Sequence, residues 1–143
     1  MSNLLARLGE QPERTLRLAL VLNAQFSATG GAVAIAFAGP LADLMDVNAW
    51  IVRCVGAGLL LFAVDVWFAS RRVNDQLIAR SKLVSASDAA WVIGTVVVIA
   101  AGLVSGAGMV LLGVIGCMVA DFAIVQIWSA SKLTARVTVP QAA

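Results

Sequence analysis

The sequence predicts an all-α protein, a bundle of four transmembrane helices. Hydrophobic residues make up 61% of the 143 residues and charged residues only 13%, whereas soluble domains average about 45–50% and about 25%. Four apolar stretches approach the roughly 20 residues that a helix needs to cross a bilayer core of about 30 Å. The remaining tails and loops are too short for a second folded domain. We therefore expect residues 1–143 to form one integral membrane domain whose main partner is the lipid bilayer.

The helices are expected at 16–38, 49–70, 89–104 and 109–130, the third being a little short for a span. The connecting segments are an amphipathic or flexible N-terminal tail at 1–15, a polar loop at 71–88 and a C-terminal tail at 131–143. The loop at 71–88 has apolar residues at helical spacing (Leu77, Ile78, Leu83 and Val84) and is expected to skim the membrane surface.

Local signals set the ends of these helices. Gly39 and Pro40 end the first helix, because proline cannot continue the ladder of hydrogen bonds. Asp46 or Asn48 can cap the second by accepting from its free N–H groups. The segment 105–108 is so short that the third and fourth helices must form an antiparallel hairpin.

The two halves of the chain show a weak similarity to each other. Residues 23–26 (NAQF) of the first helix correspond to residues 88–91 (DAAW) of the third, and the second and fourth helices both end near a tryptophan, Trp67 and Trp128. Matching the tryptophans needs a one-residue slip, so chance similarity between apolar segments is the alternative. A true repeat predicts two tandem helical hairpins that enter the membrane from the same side.

Basic residues predict the orientation of the spans. Nine of the ten lie before the first helix, between the second and third, or after the fourth, and the tenth is Arg53. The loop at 39–48 carries Asp43 and Asp46 and no basic residue. The positive-inside rule then places both termini and the 71–88 loop in the cytoplasm.

Composition argues against several classes of function. Histidine is absent, which removes the commonest general base and haem ligand and most transition-metal sites. The two cysteines, Cys54 and Cys117, form no CxxC pair. The sequence contains no basic run interleaved with aromatic residues, so nucleic-acid binding has no support. We expect no enzymatic activity, no cofactor, no metal and no nucleic-acid partner.

Five polar residues inside the expected spans or at their ends form the candidate site: Asp121, Asp65, Asp88, Asn23 and Gln126. Ionisable groups within lipid are costly and usually face protein or water. Each is expected in the cytoplasmic half, and small residues on the same helical faces indicate that the aspartates point inward.

Each aspartate also has a structural interpretation. Asp88 is expected in the first turn of the third helix, where it would cap the helix. Asp65 is expected to pair with Arg72 on the same face. Asp121 has no basic partner close by on its own helix, which leaves a buried hydrogen bond, a partner on another helix or subunit, a bound cation or a bound proton.

Small residues beside these polar groups are the expected helix-packing positions: Gly30, Ala34, Gly58, Gly113 and Cys117. Such residues mark the closest helix contacts in membranes, because they let two backbones approach.

Two functions compete. The first is a structural, oligomer-forming or accessory-subunit role, in which the chain associates with itself or with a partner in a membrane complex. The alternative is a small proton- or cation-coupled transporter or channel that uses the intramembrane aspartates, since the size and helix count look like the small multidrug resistance family. The paired hairpins are similar to the proteobacterial antimicrobial compound efflux family. Both families place a glutamate in the first helix, where this chain has Asn23 and Gln25.

One further resemblance covers about 110 residues. Asn23-Ala24, residues 38–44 (AGPLADL), Arg53 followed by Gly56, and residues 62–67 resemble a group of small bacterial integral membrane proteins with four predicted helices. The resemblance implies a bacterial inner membrane and supplies no mechanism.

Overall fold

A computed structural model describes residues 11–138, and within them it is helical without strands. In chain order the helices are α1 Pro12–Ala36, α2 Ala38–Met45, α3 Ala49–Ser70, α4 Asn74–Ala100 and α5 Gly106–Thr138. All except α2 are long and apolar enough to cross a membrane. The predicted bundle with four candidate spans is confirmed.

The bundle has two chemically different ends. Arg17, Arg71 and Lys132 lie at the basic end, where the guanidinium of Arg17 donates to the carbonyl oxygen of Ser70 over 2.7 Å. We call the other end, which carries α2, the acidic end.

The helices pair as two hairpins. The most extensive contacts join α1 to α3 and α4 to α5, followed by those of α1 with α5, whereas α3 and α4 touch little. Each hairpin ends at the basic end with the same device, a basic side chain over a tryptophan one turn earlier. Arg71 lies 4.7 Å from the ring centre of Trp67, and Lys132 lies 4.1 Å from that of Trp128. This match supports the tandem-hairpin prediction.

Buried positions follow alternating steps of three and four residues. On α4 they are Leu77, Ser81, Val84, Asp88 and, seven residues farther, Thr95, with Ser85 buried beside Val84 in sequence. The spacing is that of left-handed helical bundles, in which side chains of one helix fit between those of the next. Because the same register carries both apolar and polar residues, the polar ones are built into the core.

The first span ends earlier than residue 38. Pro40 has no N–H group to bond the carbonyl of Ala36, so α1 ends at Ala36 and the chain bends at Phe37. The segment predicted as the 39–48 loop instead contains α2. Asn48 then caps α3, as predicted, by accepting from the backbone N–H of Trp50 over 2.8 Å.

The segment predicted at 71–88 is helical from Asn74 onward, as its apolar spacing indicated, but the prediction that it is a separate loop on the membrane surface is wrong. Residues from Asn74 onward belong to α4, which runs unbroken to Ala100 and is about 40 Å long. No glycine or proline interrupts residues 74–93. Leu77 and Val84 join the apolar core of the basic end, which explains why the polar stretch stays on the bundle.

The last helix is also longer than the predicted 109–130. As α5 it continues to Thr138, through most of the predicted C-terminal tail. Residues 139–143 lie outside the described residues. The predicted N-terminal tail likewise lies mostly outside them, although Pro12–Thr15 forms the start of α1. At the acidic end the backbone N–H of Ser105 donates to the carbonyl of Met45 over 2.9 Å, which ties the α4–α5 turn to α2.

Candidate functional site

Three of the five predicted polar residues meet in the interior of the bundle. The side-chain amide of Asn23 on α1 donates to Asp88 Oδ2 on α4 over 2.8 Å. The amide of Gln126 on α5 donates to the same oxygen over 3.5 Å. The three side chains are 1%, 3% and 0% exposed, respectively. A carboxyl group on one helix therefore holds amides from two others, and we call this set the Asp88 cluster.

The predicted role of Asp88 as a helix cap is wrong. Because α4 begins at Asn74, Asp88 lies four turns inside the helix and has no free backbone N–H groups to cap. Its buried register position directs its carboxyl group toward α1 and α5. The repeat similarity had aligned Asn23 with Asp88, and these two residues are hydrogen-bonded to each other.

Hydroxyl groups extend the cluster in both directions. Ser27 Oγ, one turn along α1, donates to Asn23 Oδ1 over 3.4 Å. Ser85 Oγ lies 3.1 Å from Gln126 Oε1 and 2.9 Å from the carbonyl oxygen of Ser81. The serines were not among the predicted site residues, although Ser81, Asp88 and Thr95 follow one another at seven-residue intervals, a signal the sequence contains.

The cluster has no charged partner in the part of the chain that the structure describes. No basic nitrogen lies within 4.0 Å of the Asp88 carboxyl group there. Two amide donors satisfy a carboxylate without neutralising it, so the charge itself remains uncompensated. Chemically, the arrangement can hold helices together through hydrogen bonds, or bind a proton. Among residues 11–138, no three His, Cys, Asp or Glu side chains come together as metal ligands.

A groove reaches the cluster from the basic end. It lies between α4 and α5, has a volume of about 410 Å³, and includes Lys82, Ser85 and Ser131 in its wall. Ser85 thus belongs both to the groove and to the hydrogen bonds of the Asp88 cluster. We call this feature the α4–α5 groove.

Asp65 lies outside the cluster, so the prediction that it points inward is wrong. Its carboxyl group is 3.7 Å from Arg80 on α4, and the two side chains are 52% and 47% exposed. The expected partner, Arg72, is not the one it has. Arg80 lies opposite α3 because α4 includes residue 80. The prediction of a separate loop at 71–88 did not anticipate this pair.

Asp121 also faces outward. It is exposed on the side of α5, seven residues before Trp128 and thus about 10 Å farther from the basic end. Cys117 and Gly113, one and two turns away on the same helical face, are exposed and half-buried, respectively. No hydrogen bond or ion pair joins the side chain of Asp121 to another described residue. Gly113, Cys117 and Asp121 share one face of α5, as the spacing predicts, but the prediction that Asp121 points into the bundle is wrong.

The closest helix contact is made by glycines that the prediction passed over. A methyl group added at Gly31 would lie 2.7 Å from the carbonyl oxygen of Gly56, and one added at Gly56 would lie 2.9 Å from the carbonyl oxygen of Gly31. Ala34 packs beside Gly56, whereas Gly30, the predicted residue, sits one position off the contact. We call this the Gly31–Gly56 contact.

The other predicted packing residues make no such contact within the chain. Space around Gly58 and Gly113 is open, and Cys117 is exposed. Their role in packing between chains stays a prediction.

Comparison with models of known protein families, with curated proteins and with solved structures finds no match to this chain.

Proposed function

We propose that the protein is a structural subunit of a bacterial inner membrane, which assembles with copies of itself through α5 and carries out no enzymatic chemistry. The face of assembly consists of Gly113, Cys117 and Asp121, and we call it the α5 face. The alternative partner is a different subunit of a membrane complex.

The exposed carboxyl group of Asp121 carries the proposal. It sits on a candidate span that runs from Gly106 to Ala135, about 22 Å from the start of that span. A carboxyl group at such a depth is costly in hydrocarbon, and intramembrane charges face protein or water almost without exception. A single bundle leaves Asp121 on its surface, so a neighbouring chain has to cover it.

A second copy fits this face better than lipid does. Two copies inserted in the same direction place their Asp121 side chains at the same depth, and a two-fold contact removes both from lipid at once. Gly113 and Cys117 keep the face flat, which allows two helices to approach closely.

The distribution of basic residues supports an orientation with both termini in the cytoplasm. Arg17, Arg71 and Lys132 belong to the basic end, and Asp43 and Asp46 to the acidic end. A positive end faces the cytoplasm in bacterial inner-membrane proteins. Single cysteines at positions 43 and 131 of a variant without Cys54 and Cys117 test this. An impermeant maleimide should label position 43 in intact spheroplasts and position 131 only after lysis.

Disulfide trapping in native membranes tests the α5 face. In the Cys54→Ser variant, Cys117 is the remaining thiol, and mild oxidation should convert most of the protein to a dimer that reductant splits. The matched control is Cys117→Ser, which keeps Cys54, another exposed thiol, on α3. That variant should stay monomeric under the same oxidation.

Two outcomes would contradict the proposal. The first is a Cys117 variant that remains monomeric while a bismaleimide of longer reach also fails to link it. The second is equal crosslinking of the two variants, which would indicate random collision in the membrane.

The alternative function, transport, is supported by a different aspartate from the one first expected. It had centred on Asp121, whose outward position favours assembly. An ion-linked role now belongs to Asp88, the aspartate that is buried.

A further inference from the structure

We propose that Asp88 is a proton-binding site, reached from the basic end through the α4–α5 groove, and that a flip of the Gln126 amide accompanies proton uptake. This goes beyond assembly through the α5 face and does not depend on it. The ligand is a proton supplied by water.

The hydrogen bonds of the cluster fit the proton-free state. Asn23 and Gln126 both direct N–H groups at Asp88 Oδ2, which is the arrangement that a carboxylate accepts. In this state the single hydroxyl hydrogen of Ser85 has two acceptors, Gln126 Oε1 and the carbonyl oxygen of Ser81, and can serve only one at a time.

A second complete set of hydrogen bonds exists for the protonated state. The proton forms an O–H bond on the Asp88 carboxyl group, which then has a hydrogen to donate. A half-turn of the Gln126 amide presents Oε1 to that hydrogen and Nε2 to Ser85 Oγ. Ser85 then donates to Ser81 alone. The two states differ by one proton and one amide orientation, and each pairs the groups involved.

No charged side chain on the neighbouring helices compensates a charge on the Asp88 carboxyl group. The faces that α1 and α5 turn toward Asp88 carry the amides of Asn23 and Gln126 and no charged group. From α3 the nearest charge is Asp65, already paired with Arg80, which is eight residues or about 12 Å from Asp88 along α4. Protonation therefore removes the one uncompensated charge of the cluster.

Independent observations point to a site that takes up water. Ser129 is 0% exposed, and its hydroxyl group has no hydrogen-bond partner among the described residues; it lies one turn from Gln126 toward the basic end. The indole N–H of Trp91, one turn from Asp88 on the other side, is buried and similarly unpaired in the described part of the chain. Buried polar atoms of this kind are where proteins hold internal water. Ser85, which bonds Gln126 in the cluster, also lines the α4–α5 groove.

Infrared difference spectroscopy of the protein in lipid vesicles tests the site. The spectrum is followed from about pH 4 to about pH 9, a range that includes the ordinary ionisation of carboxyl groups and extends well above it. Among the C=O bands of protonated carboxyl groups, one titrating component should be absent in Asp88→Asn. Asp75→Asn, an exposed aspartate in the first turn of the same helix, should keep it. An unchanged titration in Asp88→Asn would overturn the proposal.

A second pair of variants tests the route and keeps the Asp88 carboxyl group in place. Ser85→Ala breaks the link to the groove and should slow the hydrogen–deuterium exchange of the Asp88 band about tenfold, the equivalent of one lost hydrogen bond. Ser87→Ala is the matched control, since Ser87 makes the same bond to a carbonyl one turn back, over 3.1 Å, but is exposed. Equal exchange rates in the two variants would contradict the route.

The ion is tested by repeating the pH titration with choline chloride in place of sodium chloride. A titration that stays in place supports a proton site. One that moves with sodium concentration shows competition by a metal cation and overturns the assignment.

Discussion

The Gly31–Gly56 contact and the Asp88 cluster hold the same bundle together by opposite means. Between α1 and α3, two glycines remove side chains so that backbones meet. Between α1, α4 and α5, three polar side chains reach across the interior and bond one another. Water cannot drive helices together inside a bilayer, so close packing and internal hydrogen bonds are the forces available. The Gly31–Gly56 contact relies mainly on close packing, and the Asp88 cluster relies mainly on hydrogen bonds.

The difference has consequences for tolerance to change. The glycine contact is steric, so any added atom has to push a helix away, and the cost rises steeply with size. The polar cluster is chemical, and a lost bond is replaced in part by other partners in the unfolded chain within the membrane. We therefore expect substitutions at the glycines to have larger effects than substitutions at the aspartate.

Gly56→Ala should give the largest effect. The added methyl group would lie 2.8 Å from Ile35 Cγ1 and 2.9 Å from the Gly31 carbonyl oxygen, so α1 and α3 must separate. We expect a loss of about 1–3 kcal/mol in the free energy of unfolding, measured by circular dichroism during detergent-induced unfolding. Gly58→Ala, two residues along the same helix in open space, should be neutral or stabilising by up to about 1 kcal/mol. Equal effects at the two positions would refute the contact.

Asp88→Ala should follow. It leaves the buried amides of Asn23 and Gln126 without their shared acceptor, which we expect to cost about 1–2 kcal/mol in the same unfolding measurement. Asp43→Ala, an exposed aspartate on α2, should change stability by less than about 0.5 kcal/mol. If Asp88→Ala is as stable as Asp43→Ala, the cluster does not hold the helices.

Double-mutant cycles should then divide the cluster. The shorter bond, from Asn23 to Asp88, should give a coupling energy of about 0.6 kcal/mol or more, which is the average for membrane helices. The 3.5 Å bond from Gln126 should couple less strongly. A larger coupling for Gln126 would show that the amide of Asn23 has other partners in the folded protein.

Asp65→Asn should give the smallest effect. Its ion pair with Arg80 is 3.7 Å long and about half exposed on both sides, so we expect less than about 0.5 kcal/mol. If the pair lies in the aqueous interface, added salt should reduce even that. A loss comparable to that of Asp88→Ala would place this pair in a much less polar environment than its exposure indicates.

Composition and hydropathy predicted the bundle correctly because length and apolar composition are enough to recognise a membrane-spanning helix. The ends of the helices were harder to predict. The polar first half of α4 was expected to lie on the membrane surface, apart from the third span, although its apolar residues have helical spacing. The seven-residue spacing of Leu77 and Val84 instead continues into the span as one helix. Low hydropathy limits where a span ends and says little about where a helix ends.

The polar site was predicted in part. Asn23, Asp88 and Gln126 meet as members of one candidate set, whereas Asp65 and Asp121 face outward. Every helix has two sides, and a stripe of small and polar residues is compatible with a contact inside the chain or with one between chains. Which of the two applies depends on how neighbouring helices are rotated, and rotation follows from contacts distant in sequence, such as the Gly31–Gly56 contact.

The central claim is that Asp121 is covered by a second copy of the chain, and counting copies in lipid tests it most directly. Native mass spectrometry of the protein released from lipid nanodiscs should give dimers or larger assemblies. Asp121→Leu, which makes the α5 face compatible with lipid, should shift the distribution toward monomers. A wild-type protein that is monomeric with no other polypeptide bound would contradict the account.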